Sequence, residues 1–169
     1  MVGRGQQFPE FEDRLAGLPN VKIVPRFVTC EELNVELRAC HVSLGVFGTT
    51  GKAARVIPCK VYDALAVGRP VITADTPGAR ELLTDGENAL LVPPGDPDAL
   101  AAAILRLSRD EDLRLRLARS GHRTFLENAS PDALGRRMLE ILSAIRPSGN
   151  HGSGFPTRPP RRSAIVRKR

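Results

Sequence analysis

Cysteine is scarce in this 169-residue chain. Its three copies, Cys30, Cys40 and Cys59, form no C-x-x-C pair and sit among apolar neighbours, which argues against a zinc site or a disulfide framework and fits a reducing, cytoplasmic setting. Long apolar runs are missing too. The longest, Ala99 to Leu105, falls far short of the ~20 residues that span a bilayer, and no signal-peptide pattern opens the chain. Any membrane contact is therefore expected to be peripheral, at the inner face. His41, His122 and His151 have no cysteine, histidine or carboxylate at metal-ligand spacing, so no metal site is expected. Acidic residues are absent from 146–169, where Arg146, Arg158, Arg161, Arg162, Arg167, Lys168 and Arg169 stand. Without those seven, 18 basic residues face 19 acidic ones, so the formal charge of +6 belongs to the tail.

That tail is rich in Pro, Gly, Ser and Arg, a composition that buries too little apolar surface to offset its chain entropy, and it is expected to be disordered. Aromatic interleaving is limited to Phe155, which weighs against nucleic-acid binding through phosphate neutralisation. The predicted organisation is one body at 1–145, with no internal repeat, and a disordered basic tail at 146–169.

Within the body, apolar periodicity alternates between helix and strand. Phe8 to Leu18 predicts a short helix with Phe11 and Leu15 at i, i+4 spacing, and Val21 to Val24 predicts a strand. After the turn at Pro25 to Thr29, a helix runs through Leu33 and Leu37 with Thr29 as its N-cap. His41 to Val46 reads as the next strand, and a polar loop runs from Phe47 to Ile57. A helix then opens at Pro58 and buries Val61, Ala64 and Leu65. Gly68 can take the left-handed conformation that ends this helix, and Pro70 cannot continue it, so Val71 to Thr73 restarts as a strand. Ala89 to Val92 supplies another. Asp96-Pro97 opens a helix that turns Leu100, Ile104 and Leu107 to the core. Leu113 and Leu117 mark a helix that stops at Gly121. Ser130-Pro131 opens the last one, with the stripe Leu134, Met138, Ile141, Leu142 and Ile145. The fold class is α/β, a Rossmann-like parallel sheet flanked by helices on both faces. Sites in such sheets gather at the carboxyl ends of the strands, where the loop at 47–57 emerges.

Several motifs fail on inspection. Gly3-Arg4-Gly5 lacks the third glycine of a dinucleotide fingerprint. Gly51-Lys52 resembles the end of a P-loop, but Val46 stands where its first glycine belongs and Ala53 replaces the magnesium-binding hydroxyl. Paired carboxylates for glycoside hydrolysis cannot be assigned.

The segment Ile57-Pro58-Cys59-Lys60-Val61-Tyr62-Asp63-Ala64-Leu65-Ala66, followed by Gly68-Arg69-Pro70-Val71-Ile72, Pro77-Gly78, Glu81, Gly86 and Pro94-Gly95, resembles the C-terminal domain of retaining, nucleotide-sugar-dependent glycosyltransferases of the group 1, two-Rossmann-domain type. The resemblance covers roughly residues 1 to 145. It implies transfer of a hexose from a nucleotide-diphosphate sugar, the donor substrate, with no cofactor and no obligatory metal. It also implies that the acidic residue at Asp63, usually a glutamate, accepts hydrogen bonds from the ribose hydroxyls, a task suited to two carboxylate oxygens. The family's second glutamate, eight positions earlier, contacts the transferred sugar; here that position is Arg55. The loop at Arg26, Phe27 and Val28 would lie at the base, with a core or sheet-edge role as the alternative for Phe27 and Val28. Charge growing on the departing diphosphate would be met by backbone N–H groups of Cys59 and Lys60, and by Thr49, Thr50, Gly51, Lys52 and Arg55. Catalytic residues are not assigned.

Met1 to Gly5 reads as the end of a strand, with no strand body before it. In the family a strand, a loop, a helix and a whole acceptor-binding domain precede this point. The expectation is a C-terminal domain incomplete at its N-terminus: a fragment or mis-started frame, or a split protein whose acceptor domain is a separate chain. Non-catalytic action, as a nucleotide-sugar-binding or interaction module, is the alternative function. In the family the last helix packs toward the acceptor domain; a local core helix is the other reading.

Overall fold

The computed structural model describes residues 8–15 and 17–145. The strand end expected at residues 1–5 and the disorder expected at 146–169 lie outside the described residues. Helix α1 spans Phe8–Leu15. Helix α2, Cys30–Ala39, begins with a capping box: Thr29 Oγ1 accepts from the Glu32 N–H at 3.2 Å, and the Glu32 carboxylate accepts from the Thr29 N–H at 2.9 Å. Strand β1 is Ser43–Leu44, followed by the four-residue helix α3 at Gly51–Ala54 and by α4 at Cys59–Ala66. Strand β2 is Val71–Ala74, α5 is Pro77–Arg80 and β3 is Leu90–Val92. Three helices close the described chain: α6 at Pro97–Arg109, α7 at Glu111–Asn128 and α8 at Pro131–Ile145.

The three strands form a parallel sheet in the order β1-β2-β3, with Ser43 opposite Val71 and Ile72 opposite Leu90. All four residues of β2 are buried, as befits a central strand covered on both faces. Its successive side chains separate two cores. Val71 packs with Val61, Ala64 and Leu65 of α4, whereas Ile72 packs with Leu107 of α6 and with Leu113 and Leu117 of α7. Gly68 ends α4 at φ +68°, and the Arg69 N–H reaches back to the Ala64 carbonyl at 2.9 Å, the left-handed stop read from the sequence.

Some expectations fail for identifiable reasons. Residues 21–24 carry strand-like side chains, yet they form no strand element, and only Val24 makes a lone bridge; alternation is a strand only where a neighbouring backbone supplies a ladder, and no strand among the described residues pairs with them. The strand expected at 41–46 pairs in register only at Ser43 and Leu44, although single hydrogen bonds carry it on to Val46. Pro58 stands at the N-cap of α4, with extended ψ of 147°, and not inside its first turn. Ile104 is exposed, because only Leu107 of α6 is fully turned inward. Cys30 and Cys59 are exposed, and only Cys40 is half-buried.

Gly121 does not stop α7, which runs on to Asn128. Its missing side chain serves packing instead. A Cβ there would stand 2.7 Å from Leu65 Cδ2 and 2.9 Å from the Asn88 carbonyl oxygen, so α7 lies directly on α4 through this residue. The local-core reading of α8 fails as well: Leu134, Met138, Ile141, Leu142 and Ile145 are all exposed, and Ala133 is its one buried residue.

Candidate functional site

The loop leaving β1 is tied down at several points before any exposed side chain is reached. Thr73 Oγ1, buried on β2, donates to the Val46 carbonyl and accepts from the Val46 N–H, both at 3.3 Å. The Gly95 N–H donates to the Phe47 carbonyl at 2.8 Å, so the Pro94-Gly95 turn grips the loop's first residue. Gly78 of α5 lies against the far end, where a Cβ would stand 2.7 Å from the Arg55 carbonyl carbon and 2.8 Å from the Val56 nitrogen. Between loop and sheet remains a cavity of about 10 Å³, lined in part by Ala53, Ile57, Pro58, Thr73 and Thr76. That volume admits roughly one water, so a ligand of any size must sit on the outer side of the loop.

The outer side is polar and cationic. Thr49 is exposed, with its methyl turned toward Gly95. Thr50 caps α3 by accepting from the Ala53 N–H at 3.2 Å. Gly51 and Lys52 open α3, and Arg55 is its C-cap; all three are exposed. The polar loop read from the sequence thus contains a helical turn. Next comes the N-terminus of α4, whose N-cap Pro58 offers no side-chain cap, leaving first-turn N–H groups at Cys59 and Lys60 without one. Lys60 is exposed at its surface, but the protein packed about its stem lowers its pKa below the ordinary lysine value. Asp63, exposed, lies three residues further along the same side of the helix and makes no ion pair with Lys60. Thr49, Thr50, Gly51, Lys52, Arg55, Cys59, Lys60 and Asp63 are thus all exposed along the chain from the loop after β1 into α4.

The second predicted group is arranged differently. Arg26 is engaged by Glu32 through two hydrogen bonds of 3.0 and 2.7 Å. The guanidinium, with the Thr29 N–H behind it, holds the Glu32 carboxyl at about 2, against an ordinary value of 4.5. Phe27 is 83% exposed, which removes the core reading for that residue, and Val28 is half-buried. No hydrogen bond or ion pair joins 26–28 to the loop at 47–60 among the described residues.

Sequence reasoning missed a neighbouring feature. Arg80 of α5 clasps Asp75, at the end of β2, with bonds of 2.5 and 2.7 Å, and Thr76 caps α5 by accepting from the Ala79 N–H at 3.1 Å. Thr76-Pro77 is a readable helix start, but nothing in the spacing of Asp75 and Arg80 announces a two-bond pair. His122 contacts the Leu65 carbonyl at 3.0 Å through Nδ1, an ordinary packing role between α7 and α4. Among the described residues no cluster of three or more His, Cys, Asp or Glu side chains is placed to share a metal ion, and no helix is long and apolar enough to cross a membrane.

A parallel sheet flanked by helices, with this loop and helix at its carboxyl edge, defines an α/β domain of Rossmann-like type. Residues 1–110 match the family described as Glycosyl transferases group 1, and the chain belongs to that family. It is 37% identical over 122 residues to a phosphatidyl-myo-inositol mannosyltransferase of Mycobacterium leprae, a match covering 63% of this chain and 32% of the relative. It is 34% identical over 84 residues to the lipopolysaccharide core biosynthesis glycosyltransferase LpsE of Rhizobium meliloti, covering 50% of this chain and 25% of the relative. The chain thus spans about a quarter to a third of the length of these relatives. Among solved structures, Anabaena HepE in complex with UDP-glucose superposes with a TM-score of 0.69 at 24% identity, over 85% of this chain and 40% of that one.

Proposed function

We propose that this chain is the donor-binding part of a retaining glycosyltransferase that moves a hexose from a nucleotide-diphosphate sugar to an acceptor. The observation that carries this reading is the cationic segment around the uncapped N-terminus of α4, with a free carboxylate one turn further on. As the sugar departs, negative charge grows on the outer phosphate of the leaving group. Fixed backbone N–H groups of Cys59 and Lys60, with Lys52, Arg55 and the hydroxyls of Thr49 and Thr50, are suited to that charge because they need no reorganisation as it forms. Asp63 accepts the ribose hydroxyls, and Arg26, Phe27 and Val28 flank the base. In this reading the chain's own cations meet the diphosphate and no metal is obligatory. The protein works in the cytoplasm, where nucleotide sugars are made.

A second reading, a nucleotide-sugar-binding module acting with a partner, is favoured by α8. Its stripe of exposed Leu, Met and Ile suits a further surface, either a separate acceptor-domain chain or a membrane face.

Amide chemical shifts during titration with UDP and GDP test the proposal. The N–H signals of Cys59 and Lys60 are expected to move most, together with those of the loop at 49–55. Shifts confined to other parts of the chain contradict the site.

A further inference from the structure

The stretch from Phe47 to Lys60 holds more positive charge than the two phosphates of a nucleotide sugar can answer, and Asp63, the carboxylate just beyond it, is given to the ribose in the reading above. From Phe47 to Lys60 the chain has Lys52, Arg55 and Lys60 and no Asp or Glu. None of these three side chains takes part in a hydrogen bond or ion pair within the described residues. The ester of a nucleoside diphosphate carries one negative charge on each of its two phosphates. Lys52 and Lys60 balance those, and the N-terminus of α4 adds roughly half a positive charge. Arg55 is left over.

Its chemistry narrows what it is for. Arg80, just after β2, and Arg26, in the turn before α2, are each closed on a carboxylate by two bonds, to Asp75 and to Glu32. Arg55 has the same planar fork, which matches a carboxylate better than it matches a sugar hydroxyl, and no carboxylate among the described residues fills it. Its backbone is fixed: it caps α3, and Gly78 packs against its carbonyl carbon. The guanidinium lies back along α3, with Nη1 3.5 Å from where a Cβ on Gly51 would stand. Arg55 precedes Pro58, the N-cap of α4, by three positions, so it borders the place where the diphosphate ester and the sugar attached to it would lie.

We propose that the donor sugar is itself anionic, a nucleoside-diphosphate uronic acid whose carboxylate is held by the guanidinium of Arg55. This rests on the nucleotide-sugar reading above and adds the class of sugar to it. Lys52 and Lys60 then suffice for the phosphates, and Arg55, placed among the partners of the diphosphate in that reading, serves the sugar's acid group instead. A neutral hexose in the same place leaves the guanidinium with only weaker hydroxyl partners.

The test is calorimetric titration of the full chain with two matched pairs, UDP-glucose against UDP-glucuronate and GDP-mannose against GDP-mannuronate. Three forms are compared: the natural chain, Arg55→Gln and Lys52→Gln, each checked by its circular dichroism melt. For the base the site accepts, the uronate is expected to bind about tenfold tighter than the neutral hexose, the size of one charge-assisted pair. Arg55→Gln is expected to bring that ratio to about one. Lys52→Gln is expected to weaken both donors and keep the ratio. Equal affinity for the two sugars in the natural chain overturns the uronate inference while the nucleotide-sugar reading stands. A ratio that falls as far in Lys52→Gln as in Arg55→Gln overturns it too, since it then reflects total charge and not the fork of Arg55. Failure of a folded chain to bind any of the four donors overturns both readings together.

Discussion

Gly78 and Val56 are packed so closely that a single methyl would separate them: a Cβ on Gly78 would stand 2.8 Å from the Val56 backbone nitrogen. The contact joins α5, after β2, to the loop that precedes α4, and so sets the height of the cationic segment above the sheet. Neither backbone can yield as a side-chain tip would. Gly78→Ala is therefore expected to cost about 1–3 kcal/mol of stability, the usual range for overpacking. It should also displace Arg55, whose carbonyl carbon lies in the same contact. A thermal melt with no fall in Tm would contradict this packing.

Gly121 sets two effects against each other. In a helix interior, replacing glycine by alanine gains up to ~1 kcal/mol of helix propensity. Here the new methyl would meet Leu65 Cδ2 at 2.7 Å and the Asn88 carbonyl oxygen at 2.9 Å. Leu65 can adjust, but the Asn88 carbonyl belongs to the backbone before β3. Overpacking of about 1–3 kcal/mol is expected to win, so Gly121→Ala should unfold at lower urea than the natural chain. A higher midpoint would mean that α7 and α4 do not meet as described.

Glu32 gives a pH-dependent prediction. Its folded pKa is depressed to about 2 from an ordinary 4.5 by Arg26 and the Thr29 N–H. The stabilisation is thus fully present above the unfolded pKa and is lost as pH falls through the folded one. Glu32→Gln keeps an acceptor for the capping box and removes the charge. The natural chain is expected to melt above Glu32→Gln at pH 7, with a gap that narrows between about pH 5 and pH 2. Both groups are exposed, so the gap should also shrink as salt is raised. A gap constant with pH would assign the effect to hydrogen bonding alone.

The exposed stripe on α8 predicts a separation of stability from association. Because Met138 and Leu142 are 57% and 53% exposed, replacing both with Gln should change Tm little. The same change should reduce binding of a hydrophobic dye and any self-association seen by light scattering. A large loss of stability would mean that this face is covered within the folded chain.

Much of this architecture is legible in the residues, and the limits are physical. Gly68 and Pro70 around a helix end, Thr29 as an N-cap, and Asp96-Pro97 are local signals whose energetics lie within a few residues, and each appears as read. Val61, Ala64 and Leu65 also point inward as their spacing requires. Non-local facts were hidden. Gly121 looks like a stop because sequence cannot show that Leu65 and the Asn88 carbonyl lie above it, and residues 21–24 look like a strand because alternation does not name a partner. The α8 stripe marks an apolar face without saying whether anything covers it. At the candidate site, the segment from Thr49 to Asp63 could be nominated from residue types and from the group 1 resemblance. The clasp of Arg80 on Asp75 and the grip of Gly95 on Phe47 needed coordinates.

The central claim is that Asp63 and the N-terminus of α4 hold a nucleotide sugar, and calorimetric titration of the natural chain beside Asp63→Ala measures it most directly. Because Asp63 is exposed and unpaired, the substitution should leave the melt unchanged. Loss of a carboxylate that accepts the ribose hydroxyls is expected to remove about 1.5–3 kcal/mol of binding, tenfold or more in Kd, for UDP- or GDP-linked donors. Binding that Asp63→Ala leaves untouched, in a sample whose melt is that of the natural chain, would contradict the account.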